Sequence, residues 1–274
     1  MKLANYAISL LAAVMLVGPM ATPCAAGTDL PGVNQYQTKT ESGWEVSISP
    51  LYFWAAGFDG TVGVFGAQAE VDVTPIDLYV DDLSKVLHAL EGYYMGAGEI
   101  RYGKFGFFYD VYYIHLGGDE AVSKGVFDAD VDLGISLFFS TMAGTYRAYE
   151  DETVHIDALA GLRVWDVDLS IGLDFNRLRS DNFEDEDTWV DPVIGVKGGV
   201  DISDNVYLGG WAMVGGFGAG SDFMWDVFGG AGYNFNDWFS AYAGFRAGGA
   251  DYKNDSFKWD ITMYGPMVGL GVEF

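Results

Sequence analysis

The 274 residues carry a net charge of -25, with 50% hydrophobic and 16% aromatic composition and 38 glycines. That acidity excludes nucleic acid as a partner, because phosphate binding needs Lys and Arg clusters that this chain lacks. Beyond the N-terminus no apolar run reaches the roughly 18 residues of a membrane helix, so any membrane crossing must use strands. The glycine- and aromatic-rich composition suits one β architecture better than two soluble domains.

Residues 1–26 read as an export signal. Lys2 supplies the positive start, AISLLAAVMLVG the apolar core, and Cys24-Ala25-Ala26 the small residues before a cut at Gly27. Cys24 is the sole cysteine and sits poorly in a lipidation signal beside Pro23, so the mature chain is expected to lack disulfides. Residues 27–42 are polar and aperiodic and read as a flexible periplasmic lead-in to a barrel over 43–274.

In the first strand Trp44, Val46, Ile48, Pro50, Tyr52 and Trp54 alternate with Glu45, Ser47, Ser49, Leu51 and Phe53. An apolar row opposite a small or polar one is the inverse of a soluble core strand and fits a lipid-facing strand of a transmembrane barrel. Trp44 and Trp54 lie ten residues apart, about 25 Å of height at a tilt of ~40°, the separation of two aromatic girdles. Residues 57–90 form the longest connection. It is predicted to hold a helix over 75–90, with Thr74 as N-cap, Pro75 at N1 and an apolar stripe through Ile76, Val80, Leu83 and Leu87. Within it, TVGVFGAQAEVDV has a pattern that can pair as strands.

The next two strands, about 92–103 and 107–113, turn Glu99, Arg101, Asp110 and Tyr112 inward. In the fourth, Val131, Leu133, Ile135, Leu137 and Phe139 are expected outward, against Asp132, Ser136, Ser140 and Gly144 inward. The fifth sets Val154, Ile156, Ala158, Ala160, Leu162 and Val164 outward and His155, Asp157, Arg163 and Trp165 inward. A loop reaching about residue 187 holds SDNFEDED, and the sixth strand then brings Asp191 and Lys197 inside. The strands from 206, 223 and 239 carry Asp226 and Arg246 inward, with Trp225, Tyr233 and Phe235 completing the girdles of Trp44, Tyr52 and Trp54. In the closing strand Tyr264, Pro266, Val268, Leu270, Val272 and Phe274 form the outward row. The prediction is an all-β, antiparallel transmembrane barrel of ten strands, with eight or twelve as alternatives, whose connections alternate between short turns and longer loops.

The runs SPLYFWAAGFDG and GPMVGLGVEF, with the GFR at 244–246 before Asp251-Tyr252, resemble a widespread, largely uncharacterised family of small proteobacterial outer-membrane β-barrel proteins, often labelled porin-like. The resemblance covers nearly all of the mature chain. It implies an outer-membrane location, with membrane lipid and lipopolysaccharide as surroundings and the barrel-assembly machinery reading the terminal Phe274. It brings no catalytic or ligand residues.

The inward positions set the cations Arg101, Arg163, Lys197 and Arg246 among Glu45, Glu99, Asp110, Asp132, Asp157, Asp191 and Asp226. Charges facing a narrow lumen must be paired or hydrated, so this network is expected either to plug the barrel or to line a narrow cation-preferring path. A barrel of this size is about filled by side chains, which favours the plug. His88, His115 and His155 lie apart, outside any metal or triad spacing, and no catalytic, cofactor or metal residue is assigned. A rim hydrolase is the remote alternative. The cluster from Asp181 to Asp187 lacks the glycine and spacing of a calcium loop and reads as solvated, with loose divalent-cation binding as the second reading. Paired glycines inside strands are read as bends that help close the sheet.

Overall fold

The computed structural model describes residues 43–76, 90–116, 130–175 and 179–274. They form thirteen strands: β1 (Trp44–Ser49), β2 (Tyr52–Trp54), β3 (Gly57–Val64), β4 (Ala67–Val73), β5 (Leu90–Tyr102), β6 (Phe105–Leu116), β7 (Asp130–Glu150), β8 (Val154–Phe175), β9 (Arg179–Ser203), β10 (Val206–Gly215), β11 (Phe223–Asn236), β12 (Phe239–Lys253) and β13 (Phe257–Glu273). From β5 onward each strand pairs antiparallel with the next, and β1 pairs with β5 on one side and β13 on the other. β1, β2 and β3 are successive sections of one stave along β13. The result is a closed, ten-stave antiparallel β-barrel. Closure leaves no free edge along the wall, which is how such a sheet satisfies its backbone.

At one end β5–β6, β7–β8, β9–β10 and β11–β12 are joined by only two or three residues. At the other end β7 runs on past β6 and β9 past β10, with β8 paired to both, so the sequence-based loop ending near residue 187 is instead the outer parts of β8 and β9. The 57–73 stretch is also strand, a β3–β4 hairpin turning at Phe65-Gly66, both at positive φ. Of the helix predicted over 75–90, only Pro75 and Ile76 are described, and both are helical. Residues 77–89, the signal and lead-in at 1–42, and the loop at 117–129 lie outside the described residues.

Two face assignments are corrected. Pro50 cannot donate to the ladder, and the stave breaks there with both Pro50 and Leu51 exposed. That one-residue shift inverts everything after it, so Tyr52 and Trp54 point into the barrel, each 1% exposed, and are not girdle residues. On β7 the outward set is Met142, Gly144 and Tyr146, while Ile135, Leu137 and Phe139 face inward. The sequence of β7 is apolar at both parities, so its periodicity could not choose a face. The side chain of Asp132 is outside the described set.

Along β8 the outward residues run Ile156, Ala158, Ala160, Leu162, Val164 and then Asp166, Asp168 and Ser170. The inward ones run His155, Asp157, Leu159, Gly161, Arg163 and then Trp165, Val167 and Leu169. β13 repeats the switch, its outward row changing from Val268, Pro266 and Tyr264 to Thr262, Asp260 and Lys258 while the inner row becomes Met263, Ile261, Trp259 and Phe257. The apolar outer belt from Val154 to Val164 is about 25 Å tall at a tilt of ~40°. Trp44, Tyr102, Phe105, Tyr146, Tyr233, Phe235 and Trp238 are exposed at its short-turn margin. Phe223 and Trp225 stand at its other margin, on β11.

Candidate functional site

Inside the belt the staves carry two layers of buried charge. The layer nearer the short turns is built by β5, β7, β8 and β9, whose register places Asp157 opposite both Arg147 and Lys197. Arg101 reaches Glu99 at 2.7 Å and Asp157 at 2.6 Å; Arg147 binds Asp157 at 2.6 Å. Lys197 pairs with Glu99 and lies 3.3 Å from Asp157. Thr145 donates its hydroxyl to Glu99 at 2.6 Å, so each carboxylate accepts from several donors. Glu45, opposite Arg101 in the β1–β5 register, is half-buried at the rim.

The second layer is centred on Arg246 of β12. Its guanidinium contacts Asp110 of β6 and Asp226 of β11, both at 2.6 Å, and Asp226 also takes Arg163 of β8 at 2.7 Å. Tyr52 donates to Asp110 at 2.7 Å, Trp211 Nε1 to Asp226 at 2.8 Å, and Arg163 Nε to Thr141 at 2.7 Å. Arg246 lies over the rings of Trp54, Phe139 and Trp211 at 4.9 to 5.4 Å, and Arg163 over Phe139 at 4.8 Å. Strands from opposite walls therefore meet through one guanidinium. Arg246 and Asp110 are 0% exposed. Excluding water from such pairs raises the cost of losing either partner.

Toward the long-loop end charge gives way to rings. Register aligns Tyr112, Phe139, Trp165 and Trp189 on four successive strands, and they pack as a ladder with centroid spacings of 4.9, 5.0 and 5.7 Å. Tyr252 of β12 stacks on Trp189 of β9 at 4.0 Å, bridging the gap above the shorter β10–β11 hairpin. There Asp191 is held by neutral donors. It accepts from Trp165 Nε1 at 2.9 Å and from the amide and hydroxyl of Ser221 at 2.6 and 2.8 Å, tying the 216–222 loop inward. Asp185 and Asp187, which the sequence put in a solvated loop, also make ties. Asp187 accepts from Tyr252 and Asn254, and Asp185 from Ser256 at 2.8 Å, which draws the β12–β13 turn onto β9.

The structure thus gathers Glu99, Arg101, Asp157 and Lys197 in one layer and Asp110, Arg163, Asp226 and Arg246 in another, and leaves Asp191 to neutral donors. Sequence reasoning missed Arg147, Thr145 and Thr141 because the faces of β7 were inverted, and Tyr52 and Trp54 because of Pro50. A proline in mid-strand was the available signal. Two glycines have a role other than bending: a Cβ at Gly232 would lie 2.0 Å from the ring of Tyr207, and one at Gly269 would lie 2.4 Å from that of Tyr242. His115 lies next to last in β6 and His155 second in β8, at opposite ends of the barrel, and His88 lies outside the described residues. Among the described residues no three metal-ligating side chains gather as a metal site.

The barrel superposes on the outer-membrane protease OmpT of Escherichia coli with a TM-score of 0.52, over 88% of this chain and 99% of that one, at 11% identity. The translocator domain of the autotransporter NalP from Neisseria meningitidis aligns at 0.40 and 12% identity, over 88% of this chain and 90% of that domain. Ail, the attachment invasion locus protein of Yersinia pestis, aligns at 0.31 and 14% identity, over 85% and 99%. No protein-family model and no curated sequence relative matches the chain. The fold is that of an outer-membrane β-barrel.

Proposed function

We propose that the protein is exported, loses residues 1–26, and resides in the bacterial outer membrane as a closed barrel with a structural or surface-interacting role. This keeps the sequence resemblance to small proteobacterial porin-like barrels but assigns no transport. The observation that carries the reading is the Arg246 layer, in which side chains from β2, β6, β8, β11 and β12 meet with no solvent exposure at Arg246 or Asp110. An ion entering that layer would have to break two charge-assisted hydrogen bonds at 2.6 Å. The apolar belt supports lipid and lipopolysaccharide as surroundings, and the exposed terminal Phe274 supports recognition by the assembly machinery.

OmpT is a protease. We read this chain as non-enzymatic: its two described histidines stand on separate strands, and Asp110, Asp157 and Asp226 are engaged by cations. The test is single-channel recording of the refolded mature protein in planar bilayers. No conductance steps are expected. Steady cation-selective steps from the unaltered protein would replace the closed barrel with a narrow channel.

A further inference from the structure

The β3–β4 hairpin pairs with β13 between Tyr264 and Phe257, so it stands past the apolar belt on the long-loop side. β3 lies between β13 and β4, and β4 pairs with β3 alone. Among the described residues nothing bonds to the other edge of Ala67–Val73. The two-residue turn at Phe65-Gly66 makes Val64 and Ala67 a hydrogen-bonded pair, and then every second pair along the hairpin. The N–H and C=O groups of Gln68, Glu70 and Asp72 therefore point out along the free edge. An edge of this kind accepts a further strand. Its outward face carries exposed Glu70 and Asp72, and Asp72 stands directly opposite the exposed Asp59 in a close, non-hydrogen-bonded pair. Like charges so placed repel, and Lys258, which shares a row with Gln68, is paired instead with Asp260 at 3.6 Å. On the inward face Val71 and Val73 are buried, whereas Ala67 and Ala69 at the margin of the apolar core are only partly covered.

We propose that β4 is a docking edge for an extended segment of another protein, with Lys or Arg at alternate positions and apolar residues between them. Its cations lie beside Glu70 and Asp72 and relieve the repulsion with Asp59, while its apolar residues face inward and cover Ala67 and Ala69. Backbone pairing supplies affinity, and the alternation selects the partner. A second copy of β4 is disfavoured as the occupant, because it brings further carboxylates to the same face. The proposal names a partner class for the surface-interacting role and rests on that reading.

The experiment titrates a short, capped, fluorescent peptide of alternating Lys and Val against the refolded mature protein in zwitterionic detergent. A peptide of the same composition, with its lysines in one block, is the control. The alternating peptide is expected to bind about tenfold more tightly. Gln68→Pro removes an edge N–H without changing charge and spares the β3 ladder, so it should weaken that binding by about tenfold. Glu70→Gln with Asp72→Asn should weaken it as well and flatten its dependence on salt. If Gln68→Pro does not fold, the alternating peptide N-methylated at every lysine blocks the same backbone pairing on the unaltered protein, and should lose the binding. Equal affinity for the two peptides, no binding of either, or binding that survives both Gln68→Pro and N-methylation overturns the docking edge. Dimerisation of the protein that Gln68→Pro abolishes would give the edge to a second copy and overturn the proposed partner. The surface reading fails separately: Gln68→Cys, in a mature chain whose only native cysteine has left with residues 1–26, should react with an impermeant maleimide on intact cells. Absence of that labelling would overturn the surface role, while the titration still judges the edge itself.

Discussion

The two halves of β8 obey opposite rules. From Val154 to Val164 the outward residues are apolar and the inward ones include His155, Asp157 and Arg163; from Trp165 to Ser170 the inward residues are apolar and the outward ones polar. One strand therefore runs through two solvents, lipid outside its first half and water outside its second. Burial must be satisfied differently in each. In the belt the interior is held by charges that lipid cannot hydrate, whereas beyond it Val62, Val64, Val167, Leu169, Trp259 and Ile261 make an ordinary apolar core. The ladder from Tyr112 to Trp189 is the seam between the two.

The largest effect is expected where charge is most isolated. Arg246→Ala leaves Asp110 without its cation and Asp226 with Arg163 alone, at a cost of about 3–5 kcal/mol if water stays out. The measurement is the urea midpoint of the folded barrel, with heat resistance on a gel as a second reading. In the outer core, Trp259→Ala removes a buried indole for a similar ~3–5 kcal/mol, but the damage should be local. Protease should then cut β3–β4 and the outer parts of β8 and β9 while the belt stays intact. Whole-barrel unfolding by Trp259→Ala would show the halves to be one cooperative unit and end the distinction.

A smaller effect maps the boundary directly. Ala160→Arg puts a cation on the outward face in mid-belt, costing about 2–4 kcal/mol, while Ser170→Arg on the same face of the same strand should cost close to nothing. Equal costs at the two positions would mean that the belt does not end near Val164.

This division also explains what the sequence could show. Where the outside is apolar and the inside charged, as on β8 around Asp157 and Arg163, alternation alone gave the faces. Where the interior is itself aromatic, as at Phe139 on β7, both faces look alike to a period-two reading. The outer half of β9 carries the polar Glu186 and Thr188 outward and reads as loop although it is strand, whereas the β3–β4 stretch already shows a pattern able to pair. Ion pairing was legible in kind but not in partners: Arg101 with Asp157 joins residues 56 apart in sequence, and only the register brings them together. Asp191 shows the limit. Its face was legible, but besides Trp165 of β8 its donors are the amide and hydroxyl of Ser221, in the 216–222 loop.

The smallest expected effect lies at the short-turn rim, where a charge sits in neither interior. Asp151, in the β7–β8 turn, accepts from the Tyr149 hydroxyl at 2.6 Å and from the amides of Thr153 and Val154 at 2.9 and 2.8 Å. The Tyr149 hydrogen bond first, and the two amides after it, favour the ionised carboxylate and lower its pKa to about 2. Because the folded value lies below the unfolded one, this contribution is whole above the ordinary carboxylate range near 4. It is lost as pH falls through about 2. Asp151→Asn keeps an acceptor for the amides and removes only the charge. The difference in melting temperature between wild type and Asp151→Asn should therefore be small and constant above pH 5 and shrink toward zero by pH 2. Acid titration of the many other carboxylates cancels in that difference, since both proteins share them. A difference that persists unchanged at pH 2 would assign the turn's stability to its hydrogen-bond geometry and not to charge.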